Sequence, residues 1–237
     1  MTPTSLITMS SKTRSAPSWA KRWNGSSNPD ICEPRVVSRR NRRLRPREHE
    51  AMRVIAGSAK GRRLVGPDTR DTRPLTDRAK EGIFSAIGQK VVGARMLDLY
   101  AGAGTIGIEA LSRGAASATF VENGRKALMA LRENLANLGL TEKAAVIDRP
   151  VGDFLASAIG PFEVVFVDPP WSLSDEAVAN EIRTAGRLGT AELVVHRRRT
   201  SPVPPAPIGW HLQATYRYGD SHLLRYAQQY GDETERP

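Results

Sequence analysis

The sequence predicts an α/β protein: a mostly parallel sheet wound with helices on both faces, closed at one edge by an antiparallel pair. Three observations predict it. Short apolar runs recur without polar alternation, as strands covered on both faces do. Helical spacing intervenes between them, with Leu128, Leu131, Leu135 and Leu138 three and four residues apart. Strands and helices that alternate along a chain build a parallel, doubly wound sheet.

The elements follow in order. Met1 to Ala51 is rich in Ser, Pro and Arg, lacks hydrophobic periodicity and reads as a disordered basic extension. It holds 11 Lys and Arg against 4 Asp and Glu, a net +7, which leaves +3 of the total +10 for the remainder. Its Arg39–Arg45 cluster suits RNA phosphates. Equally, this stretch lies upstream of a true start at Met52, binds nothing specific, or is an organellar leader.

Met52 to Val65 reads as a hairpin lined by Lys60, Arg62 and Arg63. Thr76 or Asp77 then caps a helix whose Ala79, Ile83 and Ile87 share a face and which Gly88 ends. Arg73 and Arg78 flank its start. Two adjacent basic segments suit an RNA-facing platform over residues 52–90, against the plainer alternative of a solvated charged surface.

Residues 91–230 carry the main domain, followed by a short tail over 231–237. Its strands are Arg95–Tyr100, Ala118–Val121, Ala145–Asp148, Val164–Val167 and Glu192–His196. A helix through Glu109 to Gly114 follows the first, and the leucine-spaced helix that ends at Gly139 follows the second. Trp210–Tyr218 and Ser221–Gln228, split by Gly219-Asp220, form the closing hairpin. Pro202 to Pro207 is a stiff connection.

Composition narrows the function. With 237 residues and 40% hydrophobic content, one domain with a full core is expected. No apolar run reaches the roughly 20 residues that span a bilayer, so a cytoplasmic protein is expected. Cys32 is the sole cysteine, which forbids an internal disulfide and suits a reducing compartment. His49, His196, His211 and His222 lack ligand spacing, so no structural metal is expected. The net charge points to a polyanionic partner.

Two motifs carry chemistry. The strand Val164–Val167 runs into Asp168-Pro169-Pro170-Trp171. Neither proline continues a ladder, so the chain leaves the sheet there in a stiff loop. That loop gathers the Asp168 carboxylate, the Pro169 carbonyl and the Trp171 ring at a strand's carboxyl end, where ligands of such sheets sit. A planar base with an exocyclic amine fits: Trp171 stacks it and the two acceptors take its N–H bonds, favouring the pyramidal nitrogen that attacks an electrophile. A plain strand-end turn with a half-buried tryptophan is the alternative.

The second motif, Gly102-Ala103-Gly104-Thr105-Ile106-Gly107, matches a dinucleotide loop, with Glu122 where a ribose-binding acid belongs. Taken alone it suits NAD. Asp98, just ahead of the loop, would repel a pyrophosphate but suits the ammonium of S-adenosylmethionine, which has no phosphates and the same ribose diol. The bland alternatives are that Asp98 caps the next helix and that Glu122 is an ordinary exposed acid.

From Met52 to about Gln228 the chain resembles the RsmD-type bacterial 16S rRNA (guanine-N2)-methyltransferases. The likeness lies in Arg53–Gly57, Gly61–Leu64, Arg73–Glu81, Leu97–Ala115, Asp168–Trp171 and Tyr218–Leu224. The Arg73–Glu81 string is the most particular of these. The resemblance implies a Rossmann-like, seven-stranded class I methyltransferase with S-adenosylmethionine as donor. It implies N2 of a guanine near position 966 of small-subunit rRNA as acceptor, met in an assembly particle by a monomeric enzyme. It places Asp98, Tyr100, Gly102, Gly104, Glu122, Asn123, Val151 and Asp153 around the donor, Asp168, Pro169, Pro170 and Trp171 around the base, and Lys60, Arg62, Arg63, Arg73 and Arg78 on the RNA. This chain departs at Pro150-Val151, where an Asn/Asp-Ala or Gly-Ala pair is usual, and at His196, where Glu is common. The loop alone also serves adenine N6, so an adenine-N6 methylase is the nearest rival, with an NAD oxidoreductase and an inactive RNA-binding module behind it.

Overall fold

The computed structural model describes residues 52–67 and 75–229. The basic extension, Arg73 and the tail over 231–237 lie outside the described residues.

Seven strands form one sheet in the order β3-β2-β1-β4-β5-β7-β6. β1 (Arg95–Leu99), β2 (Ser117–Glu122), β3 (Ala144–Asp148), β4 (Phe162–Val167) and β5 (Gly189–Arg198) run parallel. β6 (Trp210–Tyr218) and β7 (Ser221–Gln228) pair antiparallel beside β5. The predicted architecture is the one observed.

Successive residues of the central strands face different helical layers, which is why no polar alternation shows in the sequence. Met96, Phe120, Val164 and Phe166 pack toward α1 (Asp77–Ile87), α2 (Thr105–Ser112) and α3 (Arg125–Leu138). Leu97, Leu99, Val165 and Val167 pack toward α4 (Val151–Ser157) and α5 (Asp175–Leu188). Thr76 Oγ1 accepts from the Ala79 N–H and so is the N-cap of α1, while Gly139 ends α3 in the left-handed conformation. α4 and α5 have no counterpart among the helices placed from sequence. α4 has only 7 residues, too few for a periodic signal, and the buried face of α5 mixes Val178, Ile182, Ala185 and Leu188 rather than repeating leucine.

The N-terminal hairpin is slighter than expected. Its ladder shrinks to one antiparallel bridge between Arg53 and Arg63, flanked by Val54 N–H to Arg62 carbonyl and Leu64 N–H to Met52 carbonyl bonds. Other backbone groups of the segment are satisfied by side chains of α2 and α3. Fully buried Glu109 accepts from the Ile55 and Ala56 N–H groups at 2.7 and 3.0 Å. The Ser112 hydroxyl accepts from Ala59 N–H and donates to the Ala56 carbonyl. Asn134 accepts from Val65 N–H and donates to the carbonyls of Val65 and Ala103. These long-range bonds replace a second strand pair.

Candidate active site

The chain winds outward from β1 through β2 to β3, then crosses to β4 on the other side of β1. The crevice at such a reversal, beyond the strands' carboxyl ends, is where this architecture receives ligands. Asp98 sits one residue short of the end of β1, and Asp168 directly follows β4. The two strands are neighbours, in register at Leu99 and Val167, and the Asp168 N–H donates to the Leu99 carbonyl.

Asp98 is 2% exposed and accepts from the Gly107 N–H in the first turn of α2 at 2.9 Å. Its other oxygen has no hydrogen bond among the described residues. Burial pushes its carboxyl up to about 7; the Gly107 bond opposes this, and the negative charges of Asp168 and Glu122 add to it. Asp98 therefore does hold the next helix, and its negative charge is opposed by Asp168 and Glu122.

Glu122 ends β2. Its Oε2 accepts from Gly102 N–H at 2.8 Å, and its Oε1 from the N–H groups of exposed Asn123 and of Gly124. Oε2 keeps lone-pair capacity for a further donor. The glycines divide their labour. A Cβ at Gly102 would meet nothing within 4 Å, so this is where the loop backbone is open to a ligand. A Cβ at Gly104 would lie 2.3 Å from Leu131, and one at Gly107 2.2 Å from Phe120, so these two let α2 close onto the core. Gly104 also has φ +82, a left-handed value that resists any side chain.

Tyr100 is the sole non-glycine residue with positive φ among the described residues, at 62°. Its hydroxyl donates to Glu181 of α5 at 2.8 Å, and burial together with that acid pushes the phenol upward. Val151 is buried at the first position of α4, and Asp153 stands exposed in the same turn.

On the acceptor side, Asp168 Oδ1 lies 2.7 Å from Nδ1 of His196, near the end of β5. His196 is 5% exposed, and its Nε2 has no partner. An ionised Asp168 requires the proton of that bond to sit on Nδ1, so the histidine donates and holds the carboxylate in place. This gives His196, the residue without an assigned role in the sequence, a contact with the central acid. Pro169 is buried and Pro170 exposed, and the Pro170 carbonyl is taken by the Leu173 N–H. Trp171 is 38% exposed, with the Arg198 guanidinium 4.5 Å from its ring centroid. One face of the indole thus already carries a cation, a partner that sequence reasoning missed. Trp171, His196, Arg78, Arg217 and Tyr218 line a concavity of about 370 Å³, while Asp168, Pro169 and Pro170 are not among its lining residues.

A family model described as Conserved hypothetical protein 95 matches residues 52–227. Ribosomal RNA small subunit methyltransferase D of Escherichia coli (strain K12) is 38% identical over 164 residues, 68% of this chain and 82% of that protein. The chain belongs to the ribosomal RNA small subunit methyltransferase D family. The member of that name from Haemophilus influenzae is 36% identical over 139 residues, 56% of this chain and 72% of that protein. A solved structure from Escherichia coli superposes with a TM-score of 0.67 at 34% identity, covering 76% of this chain and 98% of that one. A hypothetical protein from Thermus thermophilus does so with a TM-score of 0.63 at 28% identity, covering 73% and 97%.

Within this family member the expected RNA-facing residues separate. Arg78 lines the concavity beside Trp171. Lys60 belongs to the hairpin turn held against Ser112, and Arg62 donates to the Asn137 carbonyl; both contacts lie at the C-terminal ends of α2 and α3. The glycine loop lies at the opposite end of α2, an axial distance of about 12 Å. Arg63 pairs across the bridge with Arg53, which bonds Asp77 beside Arg78.

Proposed function

We propose that this methyltransferase moves a methyl group from S-adenosylmethionine to the exocyclic N2 of a guanine in small-subunit rRNA, acting as a monomer on a partly assembled particle. The observation that carries the reading is the Asp168 carboxylate, fixed by His196 beside Trp171 and one strand away from Asp98. Family membership supports rRNA methylation, and no described helix is long and apolar enough to cross a membrane.

The residues fit the donor. The negative charges of Glu122 and Asp168, which oppose that of Asp98, favour a bound cation there, and S-adenosylmethionine carries an ammonium and a sulfonium. Asp98 takes the ammonium on its free oxygen, Glu122 the ribose hydroxyls through Oε2, and Gly102 lets the chain approach closely. Tyr100, Asn123, Val151 and Asp153 complete the walls. When bound, the donor supplies an electrophilic methyl carbon. The target guanine leaves its stack and enters the concavity, where the free face of Trp171 supports it. The free Asp168 oxygen and the Pro169 carbonyl accept its amine hydrogens and aim the nitrogen lone pair. With the donor bound, its methyl would pass to that nitrogen with loss of the sulfur leaving group, and the Asp168 carboxylate would take the amine's proton. Most of the acceleration comes from holding the two reactants in line.

Nucleoside mass spectrometry of rRNA from cells lacking the protein is expected to show loss of one N2-methylguanosine. Loss of N6-methyladenosine instead would transfer the loop to its rival amine.

Donor binding is also expected to depend on pH. Asp98 titrates near 7 in the free protein and near 4 in an unfolded chain. Its ionisation therefore destabilises the free fold, and stability from this group falls as pH rises from about 4 to about 7. An ammonium reverses the balance because it needs the carboxylate. Affinity for S-adenosylhomocysteine, measured by calorimetry, should strengthen with rising pH up to about 7, by at most about tenfold per unit, and then level off. A flat profile in the native protein, matching that of Asp98→Asn, would remove Asp98 from donor binding.

A further inference from the structure

Three basic side chains lie in one row on the α5 side of the sheet. Arg197 of β5 is in register with His222 of β7, which is in register with Arg217 of β6. Arg197 is 2% exposed and His222 5% exposed. Asp175 answers the row from one end, accepting from Nη2 of Arg197. Nε and Nη1 of Arg197 and Nε2 of His222 are buried without partners. The His222 imidazole is pushed down by burial and then by the positive neighbours His196, Arg197 and Arg217, the mark of a locally positive field. Beside this row opens a second concavity, lined by Arg199, Arg217, Ser201, Thr215 and His222.

We propose that this concavity is a phosphate-binding site for the rRNA backbone next to the target nucleotide, with Arg199 and Arg217 as ligands, the Ser201 and Thr215 hydroxyls as supplementary donors, Arg197 as the buried charge behind them and His222 as an uncharged imidazole on its wall. Guanidinium forks and hydroxyls match phosphate oxygens. The proposal rests on the methyltransferase reading for the identity of its RNA. The donor does not explain the site: S-adenosylmethionine has no phosphate, and its pocket is acidic. Arg217 decides which anion belongs here, because it also lines the first concavity with Trp171 and Arg78. A base that has swung out of its helix drags its own phosphates with it, and Arg217 is the residue that both hollows share.

The test uses the full chain and a labelled small-subunit rRNA fragment, with affinity measured by fluorescence anisotropy between about 50 and about 200 mM salt. Arg199→Ala and Arg217→Ala are each expected to weaken binding about tenfold and to reduce the salt slope by about one. Arg199→Lys should keep most of the slope. Affinity for S-adenosylhomocysteine and the melting temperature should stay at wild-type values in all three. A double Ala variant that is folded, binds S-adenosylhomocysteine and retains wild-type RNA affinity and slope would overturn the proposal. So would thermal stabilisation of the wild type by inorganic phosphate, lost in that double variant, with RNA affinity untouched: the hollow would then be a free-anion site. If wild-type protein methylates neither the rRNA fragment nor partly assembled small subunits, the methyltransferase reading fails, and the binding comparison on the same RNA still decides the phosphate site.

Discussion

Asp168→Ala is expected to slow single-turnover methyl transfer by about 10³-fold. The substitution removes the acceptor that orients the amine and takes its proton, and it leaves His196 Nδ1 without its 2.7 Å partner. Donor affinity should remain close to wild type. Asp168 touches the donor side only through its charge, which is one of the influences that raise the Asp98 carboxyl. Asp168→Asn, with one acceptor oxygen and nearly the same shape, should lose about 10²-fold. Parallel loss of turnover and S-adenosylhomocysteine binding in the Ala variant would mean that the carboxylate serves the fold and not the chemistry.

Glu109→Ala should have the largest effect on stability. The side chain is fully buried and accepts three hydrogen bonds: two from the hairpin backbone and one from Arg113 Nε at 2.7 Å. Truncation strands two amides and a guanidinium next to a cavity, a loss of about 3–5 kcal/mol from a total of about 5–15 kcal/mol. The urea midpoint reports it directly. Glu109→Gln keeps the volume and one acceptor oxygen and should fall between. A cost under about 1 kcal/mol for the Ala variant would show that water replaces the carboxylate and that the hairpin is not anchored there.

What sequence reasoning reached and what it missed divide along the range of the interactions. β4 was legible because burial on both faces leaves an unbroken apolar run, and β1 and β2 because their apolar residues cluster without strict alternation. The α1 cap was legible because Thr76 bonds a neighbour three residues on. The β6–β7 hairpin was legible from Gly219-Asp220. The Asp168 loop and the glycine loop were found because each is a continuous string. Glu109, Ser112 and Asn134 were not, since each bonds backbone more than 50 residues earlier in the chain. The Asp168–His196 bond spans 28 residues and exists because β4 and β5 are neighbours, and Arg198 covers Trp171 for the same reason. The row of Arg197, His222 and Arg217 depends on register across three strands, and spacing along the chain does not encode it.

Asn134 grips Val65 with both ends of its carboxamide and the glycine-loop carbonyl of Ala103 with the same amide group. A single fastener therefore joins the first described segment to the glycine loop. Peeling the segment away frees the loop, and opening the loop strips the segment of its clip. The hairpin segment and the glycine loop are therefore expected to open as one cooperative unit, with matched hydrogen-exchange protection at both.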